Sequence, residues 1–164
     1  MKLNAIIRFA FYSALSILAG CKEKIERIEW PQMGTIAAVQ TRGAAPEETR
    51  KIASAVKAEF EEIEKLLNRH DPKSEINRLS RLNDEQILAS CHPSVKACYK
   101  AAFEFANESS FSFNPRWRGE KTLDLGAIAK GFAVDSAAEK LKSAGDCDIL
   151  IDLGGNLKAV RGDW

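Results

Sequence analysis

The chain has 164 residues, a formal net charge of +1, 45% apolar residues and 29% charged residues. This balance excludes a disordered, collagen-like or multiply membrane-spanning chain, and one globular domain is the expectation. Acidic and basic residues are mixed throughout and no basic block is interleaved with aromatics, so nucleic acid is excluded as a partner.

Residues 1–20 stand apart from that domain. Lys2 and Arg8 precede the apolar run Phe9 to Leu18, which leads into Leu18-Ala19-Gly20-Cys21. The run is short of the roughly 20 residues that a spanning helix needs. It reads as a lipoprotein signal peptide, with small residues at the cut and a cysteine thiol just after it to carry lipid. An acylated Cys21 predicts an exported protein, lipid-anchored to a bacterial membrane on its periplasmic side. Cys91, Cys98 and Cys147 remain, an odd number that implies no disulfide framework. Were Cys91 and Cys98 on one helix, their backbones would lie about 10 Å apart, beyond disulfide reach.

Residues 21–30, with the charged stretch Lys22 to Glu29, read as a tether ahead of a domain over 31–164. Gly34 to Thr41 reads as a strand through Ile36, Ala37, Ala38 and Val39, ending at the turn-prone Arg42-Gly43. From Pro46, apolar residues Ile52, Val56, Phe60, Ile63 and Leu67 recur at helical spacing with Glu59, Glu61, Glu62, Glu64 and Lys65 between them. This pattern predicts an amphipathic helix with proline in its first turn. After Asp71-Pro72, the spacing of Ile76, Leu79 and Leu82 predicts a short helix capped by Ser74. A further helix is expected from Pro93 to about Asn107, then a loop over Ser109 to Gly119. Near the end, Asp148 to Leu153 reads as a strand, Gly154-Gly155 as a turn and Asn156 to Val160 as the returning strand of a hairpin.

Chemistry is concentrated between Leu123 and Leu141. A strand-like start passes through Gly126 into a helix of period Ile128, Phe132, Ala138 and Leu141. A helix start offers unpaired backbone N–H groups and the positive end of a dipole to an anion. Lys130 adds a point charge suited to phosphate. Asp124 can accept a hydrogen bond from a ligand hydroxyl or ring N–H. Small residues at Gly126, Ala127, Ala129 and Gly131 allow close approach. The same pattern also describes an ordinary capped helix, and it matches neither a P-loop nor a G-x-G-x-x-G turn.

The run Asp124-Leu-Gly-Ala-Ile-Ala-Lys-Gly-Phe-Ala-Val-Asp135 resembles the D-L-G-x-I-A-K-G-x-A-V-D signature of the ApbE family of FAD:protein FMN transferases. Other landmarks occur in that family's order. Met33-Gly34-Thr35 opens a strand, and Leu67 to Leu79 is similar to its serine, tyrosine, proline and S-E-I segment. Phe111 to Arg116 is similar to its F-D-P-T loop, and Asp152-Leu-Gly-Gly-Asn156 to its N-L-G-G turn. The resemblance implies an α+β fold with helices packed on a mainly antiparallel sheet. It implies Mg²⁺-dependent transfer of FMN from FAD to a Ser or Thr hydroxyl of an acceptor protein carrying D-x-x-[ST]-G-A-[ST], with AMP released. The alternatives are an inactive FAD-binding remnant and an FAD pyrophosphatase.

Carried over position by position, the resemblance implies that Met33 packs on the flavin and that Asp124 and Lys130 contact FAD. The Ala127 carbonyl becomes a Mg²⁺ ligand. His70 stands where the family usually has an aromatic residue, commonly tyrosine, near the cofactor, and its imidazole can still stack; Ser112, Phe113 and Asn114 line the flavin pocket. Asn114 replaces an aspartate and Arg116 a threonine, removing a negative charge and adding a positive one. The sequence matches the amino-terminal half of the family pattern. The family's Asp and Thr metal ligands and acceptor-side histidine belong to the other half, which leaves the catalytic residues here unassigned.

Overall fold

A computed structural model describes residues 24–119, 122–143 and 145–164. The signal segment and Cys21 lie outside these residues. Four antiparallel strands form one sheet in the order β1 (Ile25–Gln32), β2 (Thr35–Arg42), β3 (Asp148–Leu153) and β4 (Asn156–Arg161). Between β2 and β3 the chain makes helices α1 (Pro46–Leu67), α2 (Glu75–Leu79), α3 (Asp84–Ser90), α4 (Pro93–Glu108) and α5 (Gly126–Leu141). The fold is α+β, with helices packed on an antiparallel sheet.

The stretch expected as a tether is largely a strand. In β1, Ile28 and Trp30 lie opposite Val39 and Ala37 of β2, and both pack against the core. Arg27 and Glu29 alternate with them on the exposed side. This charged alternation suits a sheet edge, where it discourages pairing with other chains. Met33 and Gly34 form the two-residue connection to β2 with φ of 47° and 70°. A tight hairpin needs positive φ at both central positions. Glycine adopts it freely, whereas Met33 is held there against its intrinsic preference.

α1 follows its apolar spacing, with Ile52, Val56, Phe60, Ile63 and Leu67 all buried. They join Val39, Ile149, Ile151 and Leu153 of the sheet in one continuous core. Alternation along β3 puts Ile149, Ile151 and Leu153 inward. Each large aliphatic side chain buried this way contributes about 1.5–3 kcal/mol.

α5 lies beside α1 and turns a face of mostly small residues inward, including Ala129, Ala133, Ala137 and Ala138. Its seating is fixed by a buried charge. The Glu59 carboxylate on α1 is 4% exposed, accepts the Ser136 hydroxyl at 2.5 Å and also takes the Lys140 ammonium. The Glu59 bond holds the Lys140 pKa above its ordinary value, against the opposing effect of burial. At Gly131, an added Cβ would lie 3.6 Å from Asn156 Oδ1, so the start of β4 sits against the helix.

Two helix starts differ from expectation. Ser74 occupies the cap position of α2, but its hydroxyl makes no capping bond and instead accepts from Asn77 Nδ2 at 3.1 Å. α3 has no counterpart in the sequence pattern above, yet it opens on a full capping box: Asn83 Oδ1 accepts the Gln86 N–H and Gln86 Oε1 accepts the Asn83 N–H. The cysteines Cys91, Cys98 and Cys147 are all free. Burial pushes the Cys98 thiol up to about 12, leaving it an inert core residue.

Candidate functional site

The residues singled out by sequence converge on the start of α5. Asp124 organises that start. Its backbone N–H donates to the Pro115 carbonyl at 2.8 Å, and its Oδ1 accepts the Gly126 N–H at 2.9 Å. A Cβ at Gly126 would lie 3.0 Å from Asp124 Oδ1, so glycine leaves room for this bond. Asp124 Oδ2 lies 3.4 Å from Nε of Arg69, with the carboxylate side chain only 16% exposed. Asp124 therefore already has two partners. One holds the first amide of α5, and the other ties it to the segment after α1.

Three hollows meet around this pair. The first, of about 380 Å³, is lined by Met33, Gly34, His70, Ala129 and Lys130, with Glu64 at its side. Glu64 accepts Gln32 Nε2 at 2.6 Å, which fixes that wall. Lys130 is half-buried and, among the described residues, forms no ion pair. A lysine in that position is available to an anion. His70 is exposed, and its backbone N–H donates to Asn68 Oδ1 at 3.0 Å, which orients the turn bearing the imidazole.

The second hollow, of about 240 Å³, is lined by Ser112, Phe113, Asn114, Trp117, Asp124 and Ala127. Just before this wall, Ser110 and Phe111 turn the chain at φ of 51° and 60°, and the Phe111 N–H closes α4 on the Ala106 carbonyl. Phe113 packs on Phe105 with ring centroids 5.5 Å apart. Asn114 uses its Oδ1 to accept the Arg116 N–H at 2.8 Å, a turn that aspartate would make equally well.

Arg116 does not line this hollow. Its guanidinium donates to the Leu82 carbonyl and to Asp84 Oδ1 at 3.1 Å, bracing the loop against the start of α3. The charge change noted at this position therefore bears on loop anchoring more than on the hollow. Sequence reasoning missed Arg69, Glu64 and Trp117. They lie outside the motif, and only the fold brings them to it.

The sequence pattern that defines the ApbE family matches residues 33–119 and 116–164. The chain belongs to the ApbE family. Its fold is similar to that of the flavin transferase ApbE from Vibrio cholerae, with a TM-score of 0.71 and 16% identity over 84% of this chain and 59% of that one. It is also similar to the apo flavinyl transferase ApbE from Pseudomonas stutzeri, with a TM-score of 0.67 and 23% identity over 87% and 57% of the two chains. The ApbE protein from Thermotoga maritima gives a TM-score of 0.65 and 16% identity over 84% and 59%. This chain thus spans under two thirds of the length of these relatives. Among curated protein sequences none matches it.

For a metal, the oxygens at the ApbE signature are few. Ala127 is the second residue of α5, so its carbonyl also serves the helix ladder. The Asp124 and Asn114 oxygens nearby are engaged as described. Among the described residues no group of three His, Cys, Asp or Glu side chains could hold a metal ion. Mg²⁺ prefers a nearly octahedral oxygen shell, which these residues do not supply by themselves.

Proposed function

We propose that this protein binds FAD at the start of α5 and transfers its FMN part to a serine or threonine hydroxyl of an acceptor protein, releasing AMP. One observation carries this reading. Met33, His70 and Lys130 share one hollow, Ser112, Phe113, Asn114, Asp124 and Ala127 share the next, and both open at the same helix start. The reading gives the FAD diphosphate to the helix end and to Lys130, where aligned dipoles and an ammonium offset its charge. Phe113 and Met33 provide apolar surface for the ring system. Asp124 keeps the first turn closed and in register with Arg69.

In the transfer, the acceptor oxygen forms a bond to the phosphorus of the FMN part, the anhydride bond breaks with AMP as the leaving group, and the hydroxyl proton passes to water. The described protein oxygens make no Mg²⁺ shell of their own; Mg²⁺ carried in by the nucleotide would supply further charge to offset that of the phosphates, with the Ala127 carbonyl as the protein oxygen that the resemblance implies. We further place the protein outside the cytoplasm, anchored through acylated Cys21, with an acceptor that carries D-x-x-[ST]-G-A-[ST].

The full chain, in detergent with FAD, Mg²⁺ and such a peptide, is expected to yield a peptide heavier by FMN and an equal amount of AMP. The sparse metal shell favours a second reading, an FAD-binding protein without transfer activity. That reading predicts flavin binding with an unmodified peptide, and AMP appearing without peptide product would instead indicate FAD hydrolysis.

A further inference from the structure

The third hollow at the Arg69–Asp124 pair, of about 630 Å³, is lined by four arginines, namely Arg69, Arg78, Arg81 and Arg118, with Asp124 as its carboxylate. Arg69 is matched by Asp124, and Arg78 reaches Glu75 at 3.3 Å. Arg118 stacks on the Trp117 ring, 4.5 Å from its centroid. Among the described residues neither Arg81 nor Arg118 forms an ion pair, and both are exposed. Gathering like charges around one concavity raises the local potential and favours an anionic ligand. Guanidinium groups, more than ammonium groups, take carboxylates in two-point contacts.

We propose that this cleft docks an acidic segment of the acceptor protein, an inference that rests on the transferase reading above. Three features favour a polypeptide over a nucleotide phosphate. The arginines are spread along the segment after α1, α2 and the residues after it, and the loop before α5, which suits an extended chain bearing more than one carboxylate. Arg78, Ser80 and Arg81 come from the C-terminal end of α2, so no helix start is offered to a compact phosphate here. The cleft also shares Arg69 with the first flavin hollow and Asp124 with the second, so a chain seated in it ends beside the proposed diphosphate site.

The test uses the full chain in detergent with two labelled peptides, one carrying D-x-x-T-G-A-T with flanking aspartates and one with every aspartate changed to asparagine. Peptide affinity is read by anisotropy and FAD affinity by flavin fluorescence quenching. The acidic peptide is expected to bind about tenfold more tightly than the neutral one, with an advantage that shrinks as salt is raised. Arg81→Glu removes most of that advantage while FAD affinity stays within about twofold, because Arg81 lines neither flavin hollow. Arg81→Gln moves affinity in the same direction by less and serves if the charge reversal impairs folding. Equal binding of the two peptides overturns the proposal, as does an Arg81 variant that weakens FAD as strongly as peptide. A wild-type chain that binds no FAD refutes the flavin reading itself, so the two failures are separable.

Discussion

Asp124 offers a way to separate the scaffold of the site from its ligand chemistry. Asp124→Ala removes the Oδ1 acceptor of the Gly126 N–H and the partner of Arg69. Loss of one intramolecular hydrogen bond of this local kind costs about 0.5–1.5 kcal/mol. The ion pair is partly exposed on the Arg69 side, at 37%, so it adds only about 0–1 kcal/mol. The alanine variant should therefore be less stable by about 1–2 kcal/mol, a melting-temperature fall of roughly 3–8 °C for a domain of this size. Asp124→Asn keeps an acceptor in place and loses the charge, so its cost should stay below about 1 kcal/mol. Thermal melts of the ligand-free chain check both values. If asparagine destabilises as much as alanine, the bond to Gly126 is not what holds the first turn. If the expected order is seen, Asp124→Asn becomes a folded variant whose FAD affinity reports the loss of the carboxylate charge and of its hold on Arg69, apart from any loss of fold.

Other consequences concern the frame of the site. Gly154 sits at φ +59° with Thr35 side-chain atoms 2.7 Å from where a Cβ would lie, so Gly154→Ala should destabilise by more than about 1 kcal/mol in a urea melt. Gly131→Ala, inside α5 and with only an ordinary contact to Asn156, should be neutral or stabilising by up to about 1 kcal/mol in the same assay. The raised Lys140 pKa sets a sign for the Glu59 tie. Its contribution is fully present below the ordinary lysine value of 10.5 and is lost as pH rises through the raised folded value. Glu59→Ala should accordingly lower stability at pH 7 and flatten the alkaline fall, as chemical denaturation at pH 7 and pH 11 would show.

Much of the frame can be read from single residues. The spacing of Ile52, Val56, Phe60, Ile63 and Leu67 is a direct image of the buried face of α1, and Gly154-Gly155 marks the β3–β4 turn. β1 was hidden because an edge strand alternates charges such as Arg27 and Glu29 with its inward Ile28 and Trp30, and so resembles a solvated tether. Only pairing with β2 reveals its period. α3 was legible in principle, since Asn83 and Gln86 are spaced as a capping box. The site itself was legible through the motif from Asp124 to Asp135, as a family resemblance more than as a physical pattern. Its partners Arg69, Glu64 and Trp117 were not, because their relation to the motif exists only after α1 and the loop following α4 fold back on the start of α5. Arg116 looked like an added charge in the flavin pocket until the fold turned it toward Asp84.

The most direct measurement of the central claim compares FAD with riboflavin, which lacks the diphosphate, on the full chain and on Lys130→Ala. A charge-assisted contact to phosphate is worth about 1.5–3 kcal/mol, so FAD affinity should fall roughly 10- to 150-fold while riboflavin affinity stays as it was. An unchanged FAD affinity, or an equal loss for both ligands, would contradict the assignment of the diphosphate to this helix start.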